Sequence, residues 1–316
     1  MDIVDRLLKS DEPAIRYKTT VNILGENPDS AKARKARQAI KKSPRAQLLL
    51  SERDRNGKIP YHAYQKWRGP HWVMVNLADL CYPPGDKRLI PLREQVYGWL
   101  LSKEHFKGIK VIRGLTRRCA SQEGNAIYST LTLGIADERA DELARRLVVW
   151  QWPDGGWNCD KRPYAKNSSY IETITTMRGL ALHAKITGNK ESARAVKRAA
   201  ELLLKRKLFK RQSDGSVMKE SFVQLKYPRY YEYDYLFALV VLAEAGLAED
   251  KRCKEALNLL KSRRLPDGGF PCDRKLYRVS KNIKYNRTSL VDWGGASKNE
   301  MNEFITVDTL SVLKKK

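Results

Sequence analysis

Cysteine is scarce in this chain, 5 in 316 residues, an odd number at irregular spacing. That excludes a disulfide framework as the source of stability. Long apolar runs are missing too, so no stretch reads as a membrane span. Acidic residues are few beside basic ones, 36 Asp and Glu against 61 Lys and Arg, a net charge of +25. The opening residues Met1-Asp2-Ile3-Val4-Asp5-Arg6 are not those of a secretory signal. Together these features predict a cytoplasmic chain with reduced thiols.

Hydrophobic residues make up 42%, enough for a core in a chain without low-complexity tracts. The positive excess points to an anionic partner, nucleic acid or another polyanion, or else to a solvated surface. Its densest stretches are Lys32, Arg34, Lys35 and Arg37; Arg194, Lys197, Arg198 and Lys205; and Lys205 to Arg211. Convincing strands are absent, so the chain reads as all-α in one domain, 1–316. Short helices occupy 1–45 and helix pairs 46–316, with a last helix over Phe304–Leu313 ahead of Lys314, Lys315 and Lys316.

One phrase organises the rest. Gln151-Trp152-Pro153-Asp154-Gly155-Gly156-Trp157 returns as Arg264-Leu265-Pro266-Asp267-Gly268-Gly269-Phe270. Turn glycines recur at Gly57, Gly108, Gly155, Gly215 and Gly268, with two helices in each interval. A period near fifty residues is a repeat signal. Stacked helix pairs bury a continuous core between neighbours, and about five such pairs with the tail helix can close into a ring. In each turn a glycine that accepts positive φ ends one helix, and the following aromatic folds back on the helix ends. Trp150, Trp152 and Trp157 are therefore structural ties.

The repeated phrase resembles the α/α-toroid family of terpenoid cyclases and protein prenyltransferase β subunits. Trp67-Arg68-Gly69-Pro70-His71-Trp72, Arg118-Cys119-Ala120-Ser121-Gln122-Glu123-Gly124-Asn125 and Gly155-Gly156-Trp157-Asn158-Cys159 are similar to prokaryotic prenyltransferase-like, or squalene-cyclase-like, proteins. Asp292-Trp293-Gly294 and Thr306-Val307-Asp308 extend the likeness to the tail. The resemblance implies an inner and an outer ring of helices around a central cavity. It also implies an enzyme that cyclises or transfers an isoprenoid. The acid motif Asp-x-Asp-Asp, the diphosphate motif Asp-Asp-x-x-Asp and the zinc motif Asp-x-Cys are all absent, and one fold hosts many functions.

In a toroid the starts of the inner helices face the cavity. That makes Glu123, Glu172, Glu232 and Asp234 the candidate acids and bases. His71, Trp72, Asn76, Gln122, Asn125, Tyr170, Tyr230, Tyr233 and Phe304 are the candidate ligand contacts, the aromatics being able to stabilise a carbocation. Caps and packing account for such residues equally well. Cys119, Cys159 and Cys272 fall at one end of the repeat reading, with His71 nearby, and make a candidate zinc set. The alternative from another class is a non-catalytic protein that holds nucleic acid or another polyanion on its basic outer surface.

Overall fold

A computed structural model describes residues 2–314. Met1, Lys315 and Lys316 lie outside the described residues, so the terminal lysine cluster is seen only to Lys314. The helices in chain order are α1 (Ile3–Leu8), α2 (Pro13–Lys18), α3 (Ala31–Ala39), α4 (Pro44–Leu50), α5 (Pro70–Asp79), α6 (Ile90–Leu100), α7 (Lys103–Lys107), α8 (Ser121–Thr132), α9 (Arg139–Val149), α10 (Tyr170–Thr187), α11 (Lys190–Leu204), α12 (Tyr235–Glu244), α13 (Lys254–Ser262) and α14 (Glu303–Lys314). Their starts follow ordinary capping chemistry. Asp2, Ser30, Ser102, Asn189 and Asp234 accept backbone N–H bonds at their helix starts, and Pro13, Pro44 and Pro70 stand in first turns where a missing N–H costs nothing.

The expectation of no strands needs correcting. Short strand pairs join Lys110–Ile112 to Leu115–Arg117, Pro271–Cys272 to Ser297–Met301, and Arg278–Val279 to Thr288–Ser289. All of them lie in connections rather than in a sheet layer. The turn glycine of the second repeat is also different. Gly108 closes α7 at φ −75°, and the positive φ belongs to Gly114, at the tip of the first strand pair.

The two copies of the repeated phrase fold alike, bond for bond. Trp152 N–H donates to the Gly156 carbonyl at 2.8 Å, as Leu265 N–H does to Gly269 at 2.9 Å. Gly155 N–H returns to Trp152 and Gly268 N–H to Leu265. The aromatic then donates its backbone N–H to a threonine on the following helix, Trp157 to Thr173 Oγ1 of α10 at 3.3 Å and Phe270 to Thr306 Oγ1 of α14 at 2.9 Å. The tryptophans tie elements together as expected. Trp157 Nε1–H reaches the Leu147 carbonyl and Trp152 Nε1–H that of Thr116.

Helix packing runs as a succession. α5 packs on α8, α8 on α10, α10 on α12, α12 on α14 and α14 on α2. The partners α6, α9, α11, α13 and α3 pack against α5, α8, α10, α12 and α2. The tightest crossing is α8 with α10. Gly124 there lies so close that a Cβ would fall 2.6 Å from Thr176 Cα, and one on Gly179 would meet the Gly124 backbone.

Candidate functional site

A cavity of about 180 Å³ is bordered by residues of α2, α5, α8, α10, α12 and α14. Its wall is charged. Arg178 bonds Asp79 at 2.8 Å and Glu244 at 2.8 Å, and Asp308 bonds Lys18 at 3.2 Å and Arg229 at 3.0 Å. Tyr128 donates to Asp79 at 3.1 Å. None of the residues expected from the sequence to line a central cavity borders this one. The residues that do are not among the candidate site residues of the sequence, although Arg178 and Asp308 stand as lone charges in the stretches Ile174 to Leu182 and Ile305 to Val312.

The expected ligand contacts instead fill the space between helix starts. Trp67 stacks on Tyr230 with centroids 3.8 Å apart, and Trp72 meets both edge-on. Tyr230 takes φ +48°, and its ring closes the group. His71 is buried beside Tyr64, Trp72 and Trp99, and neither ring nitrogen has a hydrogen-bond partner. Burial therefore pushes the His71 pKa down to about 3. Asn76 and Asn125 are buried; Asn76 lies by the Tyr230 hydroxyl. Tyr170 packs on Phe222 and Tyr233, and Phe304 stacks on Tyr227.

The expected acids separate by role. Asp234 caps α12 through Phe237 N–H at 2.7 Å, so it is a cap, with Arg229 at 3.9 Å. Glu123 is fully buried in an ion pair with Arg118 at 2.8 Å, and Arg118 also donates to Gln122 at 2.7 Å. Glu232 stands 3.8 Å from the buried ammonium of Lys226. Glu172 differs. Its Oε2 accepts Ser121 N–H at 2.9 Å, and its Oε1 faces Cys159 Sγ at 3.7 Å.

Cys119, Cys159 and Glu172 offer two sulfurs and an oxygen that all lie within 4.8 Å of one another. Two of the three expected cysteines thus meet. Cys272 does not join them: it is buried elsewhere, its thiol directed at the Arg274 carbonyl. His71 is not in the group either. Burial raises the Glu172 pKa. The two thiols share a hydrogen bond that pushes Cys119 up and Cys159 down. Tyr64 is drawn toward the same group, its hydroxyl set among Gln122, Glu172 and Cys119.

The connections around these residues are linked to one another by hydrogen bonds and ring contacts. Segment 58–68 bonds segment 273–300 through Trp67 N–H to Thr288 O and Arg68 to Lys281 O. Segment 273–300 bonds 219–232 through Asp273 N–H to Leu225 O. Segment 103–118 bonds 158–169 through Arg118 N–H to Asn158 O and Arg117 to Ala165 O. Phe222 meets Tyr170 at the end of 158–169, and Tyr64 reaches Gln122 beyond 118. These five segments contain 22 Lys and Arg against 7 Asp and Glu, net +15 of the chain's +25. Lys103, Lys107, Lys110, Lys161, Lys166, Lys275, Arg278, Lys281 and Lys284 are exposed, and none enters an ion pair among the described residues. Exposed Phe106, Val111, Tyr164, Val279 and Tyr285 stand between them, with Arg162 over Tyr164 and Arg278 over Tyr285.

The charges of α11 and the turn after it are in part paired, whereas Lys197 of α11 and Lys32, Arg34, Lys35 and Arg37 of α3 enter no ion pair among the described residues. Arg194 pairs with Glu191, Lys205 with Glu201, and Lys207 and Lys210 with Glu255. Compared with protein-family models and with curated proteins, the chain matches none.

Proposed function

We propose that α2, α5, α8, α10, α12 and α14 close into an inner ring with their partners outside, an α/α toroid, and that the basic rim of this ring binds single-stranded nucleic acid. Successive packing of the six helices and the cavity they share support the ring. The observation that carries the function is the rim: most of the net charge, on unpaired side chains, interleaved with exposed aromatics. A cationic track with aromatic platforms suits a flexible strand whose bases can stack. The sequence-based expectation puts this surface on α3 and α11; Arg194, Lys205, Lys207 and Lys210 are paired with glutamates there, and the α3 charges are not.

The test is a salt titration with a short labelled single strand. Binding should be tight at about 50 mM salt and fall linearly in log–log form, with a slope of about −0.7 per phosphate neutralised. Lys281→Glu with Lys284→Glu should weaken binding and flatten the slope. Arg194→Glu with Lys197→Glu, on the outer face, should change neither. Absence of binding at low salt, or binding to anionic vesicles alone, rejects the proposal.

The isoprenoid reading rests on the aromatic clusters at the helix starts. It requires a cavity for a long apolar chain, and ligand pockets run to about 300–1,000 Å³. The central cavity is smaller and charged, which places this reading second. Calorimetry with a prenyl diphosphate distinguishes it: saturable binding that survives both double reversals supports an isoprenoid site.

A further inference from the structure

The buried carboxylates follow a rule that one of them breaks. Glu12, Glu123, Asp234 and Asp308 each have a cation nearby, at 3.0, 2.8, 3.9 and 3.0 Å. Glu172, only 7% exposed, has no ion pair among the described residues. Leaving a carboxylate buried without a cation is costly. Its Oε2 is held by the first N–H of α8, which fixes the carboxyl and leaves Oε1 for something else. That oxygen faces the two sulfurs of Cys119 and Cys159. Two soft sulfurs and a hard carboxylate oxygen gathered within 4.8 Å, the carboxylate without an ion pair, make a cation site.

The spacing suits a small divalent ion. With metal–sulfur bonds of about 2.3 Å and metal–oxygen bonds of about 2.0–2.2 Å, tetrahedral donors sit roughly 3.5–3.8 Å apart. Cys159 Sγ and Glu172 Oε1 are 3.7 Å apart, and the widest separation in the group is within 4.8 Å, so small side-chain rotations close the set. Two thiolates favour zinc over magnesium or calcium. We infer that Cys119, Cys159 and Glu172 hold a zinc ion whose fourth position opens toward Tyr64. Binding displaces the thiol protons to solvent and gives Glu172 its missing cation. Both cysteines are half-buried, so the ion can enter from the rim. The inference is independent of nucleic-acid binding, since it uses none of the rim lysines.

The experiment is metal titration of the full, reduced chain. One equivalent of zinc should bind. Cobalt in its place should give a sulfur-to-metal charge-transfer band with the strong visible absorption of a tetrahedral site. C119S and C159S should lose that band, and E172Q should bind more weakly while keeping it. C272S should bind as the parent does. Should a serine variant fail to fold, judged by circular dichroism, the parent's cobalt spectrum still decides, because only thiolate ligation produces the charge-transfer band. No stoichiometric metal on the reduced parent, equal loss in C272S, or a Cys119–Cys159 disulfide that resists mild reduction would each overturn the site.

Discussion

His71 is 1% exposed and has no hydrogen-bond partner on either nitrogen. Its folded pKa is lowered from 6.5 to about 3 by desolvation, so the ring is neutral in the fold. The sign follows from linkage. Below pH 6.5 the unfolded chain takes up a proton that the folded chain refuses, and stability falls until pH approaches the folded value. The stabilisation is thus complete above about pH 6.5 and is lost on acidification. His71→Leu should flatten the stability profile between pH 6.5 and 5, where carboxylates still ionise, by up to about 1.4 kcal/mol per pH unit. Urea melts at several pH values check this; parallel profiles for parent and variant would refute it. Gly155 presents a different constraint. Its φ is +99°, and a Cβ would collide with the Arg198 carbonyl of α11. Strain and overpacking add, so Gly155→Val should cost roughly 2–6 kcal/mol, read as a fall in the urea midpoint.

The crossing of α8 and α10 shows how an element serves the site. Gly124 and Gly179 let the two backbones touch, and the same approach brings Glu172, in the first turn of α10, onto Ser121 N–H at the start of α8. Gly124→Ala should cost about 1–3 kcal/mol by overpacking. Gly179→Ala added to it should cost less than it does alone, because the helices have already been wedged apart. Weaker cobalt binding in Gly124→Ala would accompany the same displacement, and a double-mutant cycle on urea midpoints measures the coupling; strict additivity would argue against a shared contact. The last helix was legible in the sequence to within a residue at each end, Phe304–Leu313 against Glu303–Lys314, because its apolar run is uninterrupted by proline or glycine. The third zinc donor was not. Cys159 and Cys272 occupy the same place in the two copies of the repeated phrase, three residues after Gly156 and Gly269. Equivalent places in different repeats are separated by the helices between them, so identical motif positions do not meet. Cys119 leads into α8 and Cys159 toward α10, its direct neighbour, and those two connections do meet. Glu172 was recognised only as an acid at a helix start, since its lack of a cation is a property of the packed chain. The aromatic residues were expected to line a cavity and pack together instead, because a sequence shows that rings are near one another and not whether the gap between them is filled.

Across the whole molecule, the chain's two ends are joined by buried charge. Lys18 of α2 and Arg229, just before α12, both bond Asp308 of α14, whose side chain is 11% exposed. Burial alone would raise the Asp308 pKa, but the charges of Lys18 and Arg229 prevail and hold it below its ordinary value of 3.8. A lowered folded pKa means that the stabilisation is present above that ordinary value and is lost as pH falls through the folded one. Removing the carboxylate leaves two cations facing a charged cavity, and Arg229 Nε and Nη2 already have no hydrogen-bond partner. Breaking such a pair from one side costs about 3–5 kcal/mol. Asp308→Ala should therefore lower stability by about that much at neutral pH, and its profile should fall less steeply than the parent's below pH 4. Adding Lys18→Met should recover part of the loss, because a stranded ammonium is replaced by an apolar chain of similar length. If the succession of helices is closed through α2 and α14, the single variant should also expose the N-terminal helices to limited proteolysis before the rest of the chain unfolds. Cleavage confined elsewhere, with α1 to α3 still protected, would show that these charges do not join the ends.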